Sequence, residues 1–349
     1  MISVEARTFA DALKRVKPAL PRVPTNPVLN GVRVDVAGDR MTVTATDLDL
    51  TIETTVPCSG DGLSVVVKPT FLTEFAGRAS GVLALELVDG ELVVESAGAS
   101  IAQRVLPTSE WPRFERILGE PVVLKPAVLD AIRKVVHAAS VAVDEKRALL
   151  KCVAFDGTTV VACDSYRLAA FDTGEELPEA FVPASLWRAV DVDEPVTMTS
   201  DGHRARFDAG ATAWSMRLIP GPYVAWRQLL PVDPPHSIVV DRAALLDALE
   251  TVRPMALTAK EKPTVRLDAD EDGALKVSCA RQDIGLVEHR LACGSDQPVT
   301  LGFDVKFLAD LLTAAESDEV ALAYLDPLKP AVVVEDDLTL LLMPVRIPS

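Results

Sequence analysis

Five landmarks recur in the same order three times along the 349 residues, at intervals near 115–120, and this long repeat constrains the fold more than any other feature. The first is a helix-like segment with apolar residues three and four apart: TFADALKRVKPAL (8–20), PAVLDAIRKVVHAAS (126–140) and DRAALLDALETVRPMA (241–256), with Asp241 placed to cap the last. The second is a strand end closing on an acidic residue, and the three aspartates, Asp47, Asp164 and Asp283, lie 117 and 119 residues apart. A second helix-like segment follows at 69–79, 183–190 and 304–315. Alternating strand sequence then surrounds a turn, at Asp89-Gly90, Asp201-Gly202 and, in a looser form, Asp326-Pro327; glycine accepts the positive φ of a tight primed turn. The closing strands end in Leu106-Pro107, Ile219-Pro220 and Met343-Pro344. A period this long excludes a short-repeat solenoid and predicts three α+β domains, 1–118, 119–234 and 235–349, with the Pro-rich VDPP (232–235) at the second boundary.

Hydrophobic residues at 49% and charged residues at 25% give such domains ordinary globular cores and exclude a disordered chain. The five cysteines, Cys58, Cys152, Cys163, Cys279 and Cys293, form no CxxC pair and leave one over, so neither a zinc knuckle nor a disulfide framework is expected. Reduced thiols, an amino terminus without a signal-like apolar run, and no stretch of eighteen uncharged apolar residues predict a cytoplasmic protein that does not span a membrane.

A net charge of −16 disfavours holding a polyanion by overall attraction, so any nucleic-acid role needs a local basic surface. The helix-like segments supply one. On a helical wheel Phe9, Leu13, Val16 and Leu20 share one side, with Arg7, Lys14 and Arg15 opposite; Val128, Ile132, Val135 and Ala139 share another, with Arg133, Lys134 and His137 away from them. The six segments sum to about +3, leaving the rest near −19, although Asp247 and Glu250 weaken the pattern in the third unit. Taken alone, these cations also fit a solvated helix face.

The order of segments resembles the bacterial DNA polymerase III β sliding clamp family over essentially the whole chain. The specific matches are TATDLDL (44–50), CDSYRLA (163–169), YVAWRQLLP (223–231), GFDVKFLADLL (302–312) and LLMPVRI (341–347). The resemblance implies an α+β fold of three repeated DNA-clamp domains, each with two helices and flanking antiparallel sheets. Two copies would join head to tail as a homodimeric ring, helices inside. Such a ring encircles duplex DNA without sequence preference, is opened by an ATP-driven clamp loader, and tethers the replicative polymerase and repair proteins through short linear peptides. Retention by topology needs only a weakly attractive lining, which reconciles the acidic chain with DNA.

Carried over by position, the DNA-facing residues are Arg7, Lys14, Arg15, Arg22, Arg78, Arg133, Lys134 and Arg188. The peptide groove is Leu150, Cys163, Ser165, Tyr166, Arg167, Leu168, Val224, Gln228, Leu229, Leu328, Pro330, Leu341, Leu342, Met343, Pro344, Val345 and Arg346. Aliphatic and Met side chains suit apolar peptide anchors, and an arginine suits polar peptide groups. Ser165-Tyr166 replaces the family's usual Gly-His, and Val224 and Gln228 replace its usual Pro and Arg, so a pocket-altered second clamp resistant to a clamp-directed inhibitor is an alternative. A peptide-docking scaffold without DNA encirclement is another. Trp111, Phe114, Met255 and Leu257 match the dimer interface; for Trp111 the competing reading is a core residue.

No enzyme is expected, and no cofactor or metal. The runs TDLDL, VDVDE and DADEDG are acidic, but DADEDG lacks the EF-hand ligand spacing and final Glu and sits where a hairpin turn is predicted. His137, His203, His236 and His289 are scattered, and no HExxH, GxSxG or glycine-rich phosphate loop is present. Cys163 has no assignable base and is expected in a buried strand.

Overall fold

The computed structural model describes all residues except 61, 142–144, 190, 191, 193, 260–262, 348 and 349. The element order β-α-β-β-β-β-α-β-β-β occurs three times. The first set is β1 (Ile2–Glu5), α1 (Ala6–Val16), β2 (Val32–Ala37), β3 (Arg40–Thr46), β4 (Leu50–Pro57), β5 (Leu63–Val67), α2 (Pro69–Arg78), β6 (Val82–Val88), β7 (Glu91–Ser96) and β8 (Ala99–Arg104). The second is β9 (Val122–Leu124), α3 (Pro126–Val135), β10 (Cys152–Asp156), β11 (Thr159–Cys163), β12 (Arg167–Asp172), β13 (Ala180–Pro183), α4 (Ala184–Ala189), β14 (Val196–Ser200), β15 (Arg204–Ala209) and β16 (Thr212–Arg217). The third is β17 (His236–Asp241), α5 (Arg242–Ala256), β18 (Thr264–Ala269), β19 (Ala274–Arg281), β20 (Gly285–Ser295), β21 (Val299–Asp304), α6 (Val305–Ala314), β22 (Glu319–Tyr324), β23 (Ala331–Glu335) and β24 (Leu338–Leu342).

Local chemistry explains these boundaries. Helix α1 buries Phe9, Leu13 and Val16, as their spacing predicts, and the Glu5 carboxylate accepts the Thr8 N–H at its start. Asp241 caps α5 by accepting the Ala244 N–H at 2.7 Å, and Asp304 caps α6 from Lys306 and Phe307. The β6–β7 hairpin turns on Asp89 and Gly90, both at positive φ, as a primed turn requires.

The repeated aspartates have a shared mechanical role in two of the three hairpins. Asp47 Oδ1 accepts the N–H groups of Asp49 and Leu50 between β3 and β4, and Asp164 Oδ1 accepts those of Tyr166 and Arg167 between β11 and β12. These are Asx turns, in which a side chain supplies the acceptor that the reversing backbone needs. The third hairpin differs. Between β19 and β20 the Ile284 N–H donates to the Arg281 carbonyl, and Gly285 at φ 134° begins the return strand, so Asp283 sits inside a shorter turn.

The chain forms two compact units, residues 1–126 with 189–218, and residues 127–188 with 219–349. In the first, one sheet has the order β1-β6-β7-β8 and another the order β5-β2-β3-β4-β16-β15-β14-β9. Helices α1 and α2 pack together, with α1 against β3 and β4. In the second unit a single twelve-stranded sheet runs β13-β10-β11-β12-β24-β23-β22-β17-β20-β19-β18-β21, and α5 packs on α6 and on β19 and β20.

Both large sheets are made by joining four-stranded sets from different repeats. In the first unit β4 pairs antiparallel with β16, in the register Thr54–Thr212, Ile52–Trp214 and Leu50–Met216. In the second, β12 pairs with β24, in the register Arg167–Leu342, Ala169–Leu340 and Phe171–Leu338. The strand after the Asx turn of one repeat therefore joins the last strand of the next. Among the described residues the corresponding last strand of the first repeat, β8, pairs only with β7, and β20 along Gly285–Ala292 pairs only with β19.

These turns separate two roles of the repeated aspartate. Asp47→Ala removes turn hydrogen bonds and is expected to cost about 1 kcal/mol. Asp164→Ala also removes a partner of the buried Arg167 and is expected to cost about 2–3 kcal/mol. Urea denaturation of both variants checks the order.

Candidate nucleic-acid interface and peptide groove

The first unit carries five of the expected cations. Arg7, Lys14 and Arg15 are exposed on α1, Arg78 ends α2, and Arg22 is exposed in the segment after α1. The first turn of α1 has no acidic residue, and Lys14, Arg15 and the following Lys17 gather at its C-terminal end, where the helix dipole favours cations. Lys14 Nζ lies 3.2 Å from Asp11, a solvent-exposed pair that leaves the cation available, and Arg15 donates to the Thr212 hydroxyl at 3.3 Å. Lys17 is the basic residue that the wheel of α1 left out of the expected set.

In the second unit the expected cations divide. Arg133 is exposed and pairs with Asp130 at 2.6 Å. Lys134 is half-buried, 2.9 Å from Glu316, with its ammonium 4.7 Å from the centre of the Phe171 ring. Arg188 donates to the carbonyls of Val136 and Ala139 at 3.2 and 3.1 Å, satisfying acceptors at the end of the helix. Lys134 and Arg188 are thus bound up in packing, unlike the free-standing cations that the sequence implied.

The expected groove residues all belong to the second unit, and they sort into floor and rim. Cys163, Leu168 and Leu341 are buried in one cluster with Ala154, Val161 and Ala170, and Leu150 packs against it. Trp226 closes this cluster. Its indole N–H donates to Asp156 at 2.9 Å, and the Arg227 guanidinium, itself 2.5 Å from Asp156, lies over the indole ring. Tyr223 stacks on Phe181 with ring centres 5.6 Å apart, and the Cys163 thiol lies 3.6 Å from its hydroxyl. Burial pushes the Cys163 and Tyr223 acids above their ordinary values, which suits packing rather than nucleophilic chemistry. Tyr223 and Trp226 were not among the expected groove residues, although they stand in the matched YVAWRQLLP run.

The rim is exposed. Val224, Gln228, Leu229, Leu328, Met343 and Arg346 reach solvent, and Pro330, Pro344 and Val345 are half-buried. Leu342 is buried. The C-terminal segment is tied down by the Met343 N–H on the Tyr166 carbonyl and the Val345 N–H on the Gly302 carbonyl, both 2.7 Å. A Cβ on Gly302 would stand 2.5 Å from the Val345 carbonyl oxygen, so this close approach requires glycine.

Arg167 corrects an expectation. It is only 8% exposed, with Nε 3.2 Å from Asp164, Nη1 2.5 Å from Asp310 and its guanidinium 4.2 Å from the Phe307 ring centre, so its charge is held inside the fold rather than offered to a peptide. Beside it Tyr166 is 58% exposed and tilts against Phe307, while Arg147 donates to the Ser165 hydroxyl. These side chains and His137 line a cavity of about 480 Å³.

Trp111 is corrected as well. It is 6% exposed and packs with Val28, Leu29 and Val66, which is the core alternative. Phe114 is exposed and lines a cavity of the first unit; Leu257 is exposed just after α5 and Met255 is half-buried. DADEDG forms the β18–β19 turn, where Asp270 accepts the N–H groups of Asp272 and Ala274. VDVDE lies partly outside the described residues, and among those described no group of three His, Cys, Asp or Glu is placed to hold a metal ion. No described helix is long and apolar enough to cross a membrane.

Comparison with known proteins agrees along the chain. Residues 1–115 match the family of the DNA polymerase III beta subunit, N-terminal domain, and residues 227–346 that of its C-terminal domain. The chain is similar to the beta sliding clamp of Synechococcus elongatus, at 24% identity covering 97% of both chains. It is also similar to that of Caulobacter vibrioides, at 23% identity over 99% of this chain and 100% of the other. Among solved structures it shares the fold of a sliding clamp from Bartonella birtlesii bound to griselimycin (TM-score 0.89, 23% identity, 99% of both chains). A second, the DNA polymerase sliding clamp from Bacillus subtilis, gives a TM-score of 0.86 at 21% identity over 99% of both chains.

His137 supplies a pH test of the packing around Arg167. Burial, followed by the nearby Arg167 charge, lowers its pKa to about 4, and its Nδ1 lies 2.8 Å from the Lys134 carbonyl oxygen. The unfolded chain binds this proton from about pH 6.5 downward and the folded chain only near 4, so the contribution is complete above that window and is lost as the pH falls through it. Between pH 6.5 and 4.5 the parent protein is expected to lose roughly 2 kcal/mol more stability than His137→Gln, measured by urea denaturation.

Proposed function

Because the chain belongs to the bacterial DNA polymerase III β-subunit family, we propose that two copies close head to tail into a sliding clamp, encircle duplex DNA and tether the replicative polymerase for processive synthesis. The observation that carries this reading is the strand pairing. Twice within the chain, the strand following a repeat's first hairpin joins the last strand of the next repeat, at β4–β16 and β12–β24. Continuing the same rule leaves β20 of one copy to meet β8 of another, and the same junction a second time closes the assembly. An isologous pairing of like edges would not follow the rule; a head-to-tail pairing does. Leu257, just beyond the third repeat's first helix, and Met255, in that helix's last turn, belong with this junction. Each copy contributes three domains, 1–118, 119–234 and 235–349.

The acidic chain and the basic helix faces fit retention by topology. Arg7, Lys14, Arg15, Arg22, Arg78 and Arg133 form the lining, with Lys134 and Arg188 holding its helices in place. A few sequence-independent phosphate contacts let the ring slide, whereas many strong ones would arrest it. The ring works in the cytoplasm and catalyses no step itself; it raises the effective concentration of a tethered enzyme at the primer end. Polymerase, clamp loader and repair proteins dock by short linear peptides at the groove. Leu229, Leu328 and Met343 supply its apolar rim, above a floor fixed by Trp226, and Tyr166 borders it.

Two measurements test this. After loader-assisted assembly at moderate salt, the protein is expected to persist on circular duplex DNA and to escape from linear duplex; equal retention on both contradicts encirclement. The double variant Lys14→Glu/Arg15→Glu is expected to shorten retention on circles by roughly tenfold without changing peptide binding. Leu229→Asp or Met343→Asp is expected to weaken a polymerase C-terminal peptide by about tenfold, with encirclement preserved. Unchanged peptide binding would remove the groove assignment.

A further inference from the structure

One arginine fastens the helix side of the β12–β24 seam. Arg167, at the start of β12 in the second repeat, lays its guanidinium 4.2 Å from the ring centre of Phe307 and places Nη1 2.5 Å from Asp310. Both partners stand on α6 of the third repeat, at i and i+3 and so on one face of the helix. The contact joins the first hairpin of one repeat to the second helix of the next, across the same junction that the strands make. In the β4–β16 seam both halves of it are missing. There α4 (ASLWRA) has neither phenylalanine nor carboxylate, and the residue three beyond the repeated aspartate, where the second repeat has Arg167, is the buried Leu50.

The first repeat carries the receiving half without an arginine in it. Helices α2 and α6 are both 10 residues long, and burial sets them in the same phase: Pro69, Leu72 and Ala76 are buried on α2 as Val305, Leu308 and Leu312 are on α6. In that phase Phe71 takes the place of Phe307, and Glu74 that of Asp310. Phe71 is 68% exposed, and Glu74 is exposed with no ion-pair partner among the described residues. A guanidinium suits both, because it lies flat on an aromatic face while its N–H groups meet a carboxylate. The third repeat carries the giving half. Arg281 ends β19 at the tip of that repeat's first hairpin, and its Nη2 donates to the Ala256 carbonyl at the end of α5 at 3.2 Å, which sets the side chain on the helix side of the sheet beside Leu257. Its Nε is buried and has no hydrogen-bond partner among the described residues. The third hairpin is the shorter one, with Arg281 opposite Gly285, so its arginine stands on the outgoing strand where the second repeat's stands on the return.

We infer that Arg281 of one copy enters the Phe71–Glu74 site of a second copy, in the manner of Arg167 with Phe307 and Asp310. The occupant is a second copy because the receiving helix belongs to the repeat whose last strand, β8, has an edge left over, and the arginine to the hairpin whose return strand, β20, has the other. The opposite charges fix the direction: an Arg281–Arg281 or Glu74–Glu74 meeting of like ends repels, whereas the head-to-tail arrangement pairs each arginine with a carboxylate. The inference rests on the head-to-tail reading proposed above and deepens it, by naming the side chains that hold the junction closed.

The test is a charge swap in the full-length protein, with the dimer dissociation constant measured by analytical ultracentrifugation over a dilution series. Each chain contributes both halves, so every substitution acts at two junctions. Glu74→Arg and Arg281→Glu are each expected to weaken the dimer at least about tenfold, and the variant carrying both is expected to recover to within about threefold of the parent. Phe71→Ser is expected to weaken it with no change of charge. Recovery in the double variant also shows that neither single variant failed by misfolding. A dissociation constant unmoved by either single reversal, in a protein that still dimerises, overturns this inference alone. So does a double variant as weak as the singles, because the two charges would then not face each other. A parent protein that stays monomeric at every concentration overturns the ring reading and this inference with it.

Discussion

Antiparallel pairing of sheet edges between repeats is the interaction on which the rest of this protein depends. A strand edge presents a row of unpaired N–H and C=O groups, and such an edge must be paired, covered or blunted. Here β4 is paired by β16 and β12 by β24, and each junction turns two four-stranded sets into a continuous sheet. The pairing also places the functional parts. The seam at β12–β24 brings the Asx turn of the second repeat against the C-terminal segment, which is why residues as far apart as Tyr166 and Met343 share a backbone hydrogen bond. The proposed peptide groove follows from that seam.

Around this framework, charged side chains divide between holding the fold and facing outward. Arg167 sits between Asp164 and Asp310, and Arg188 satisfies helix-end carbonyls, so both act where loss of a partner would leave a buried charge or an unpaired acceptor. Arg7, Lys14 and Arg15 are exposed on α1, where Lys14 meets only the exposed Asp11 and Arg15 only the Thr212 hydroxyl. A hydrated cation on a rigid helix suits weak, non-specific attraction to phosphates, and the acidic remainder of the chain opposes indiscriminate adhesion to nucleic acid.

Much of the local structure was legible in the sequence because it has local causes. Phe9, Leu13 and Val16 recur at helical spacing, Asp241 stands one residue before its helix, and Asp89-Gly90 permits few conformations other than a primed turn. The seams were not legible. Pairing of Leu50 with Met216 joins residues far apart in the chain, and neither strand carries a signal for its partner. The same limit governed individual site residues. Nothing within a few positions of Arg167 indicates that Asp310 will neutralise it, and nothing near Trp111 and Trp226 indicates that one packs with Val28, Leu29 and Val66 while the other joins the cluster of Cys163, Leu168 and Leu341. Resemblance placed these residues near function, but only three-dimensional packing assigns what each side chain does.

The proposed ring requires β8 and β20 to be two halves of one more seam. Amide hydrogen exchange at β8 (Ala99–Arg104) and along Gly285–Leu291 of β20, measured over a series of protein concentrations, reads that pairing directly. Protection of both edges that rises together with concentration, in step with the monomer–dimer transition, is the predicted result. Edges that exchange freely while the protein is dimeric would contradict the β8–β20 seam, because the copies would then be joined by some other surface.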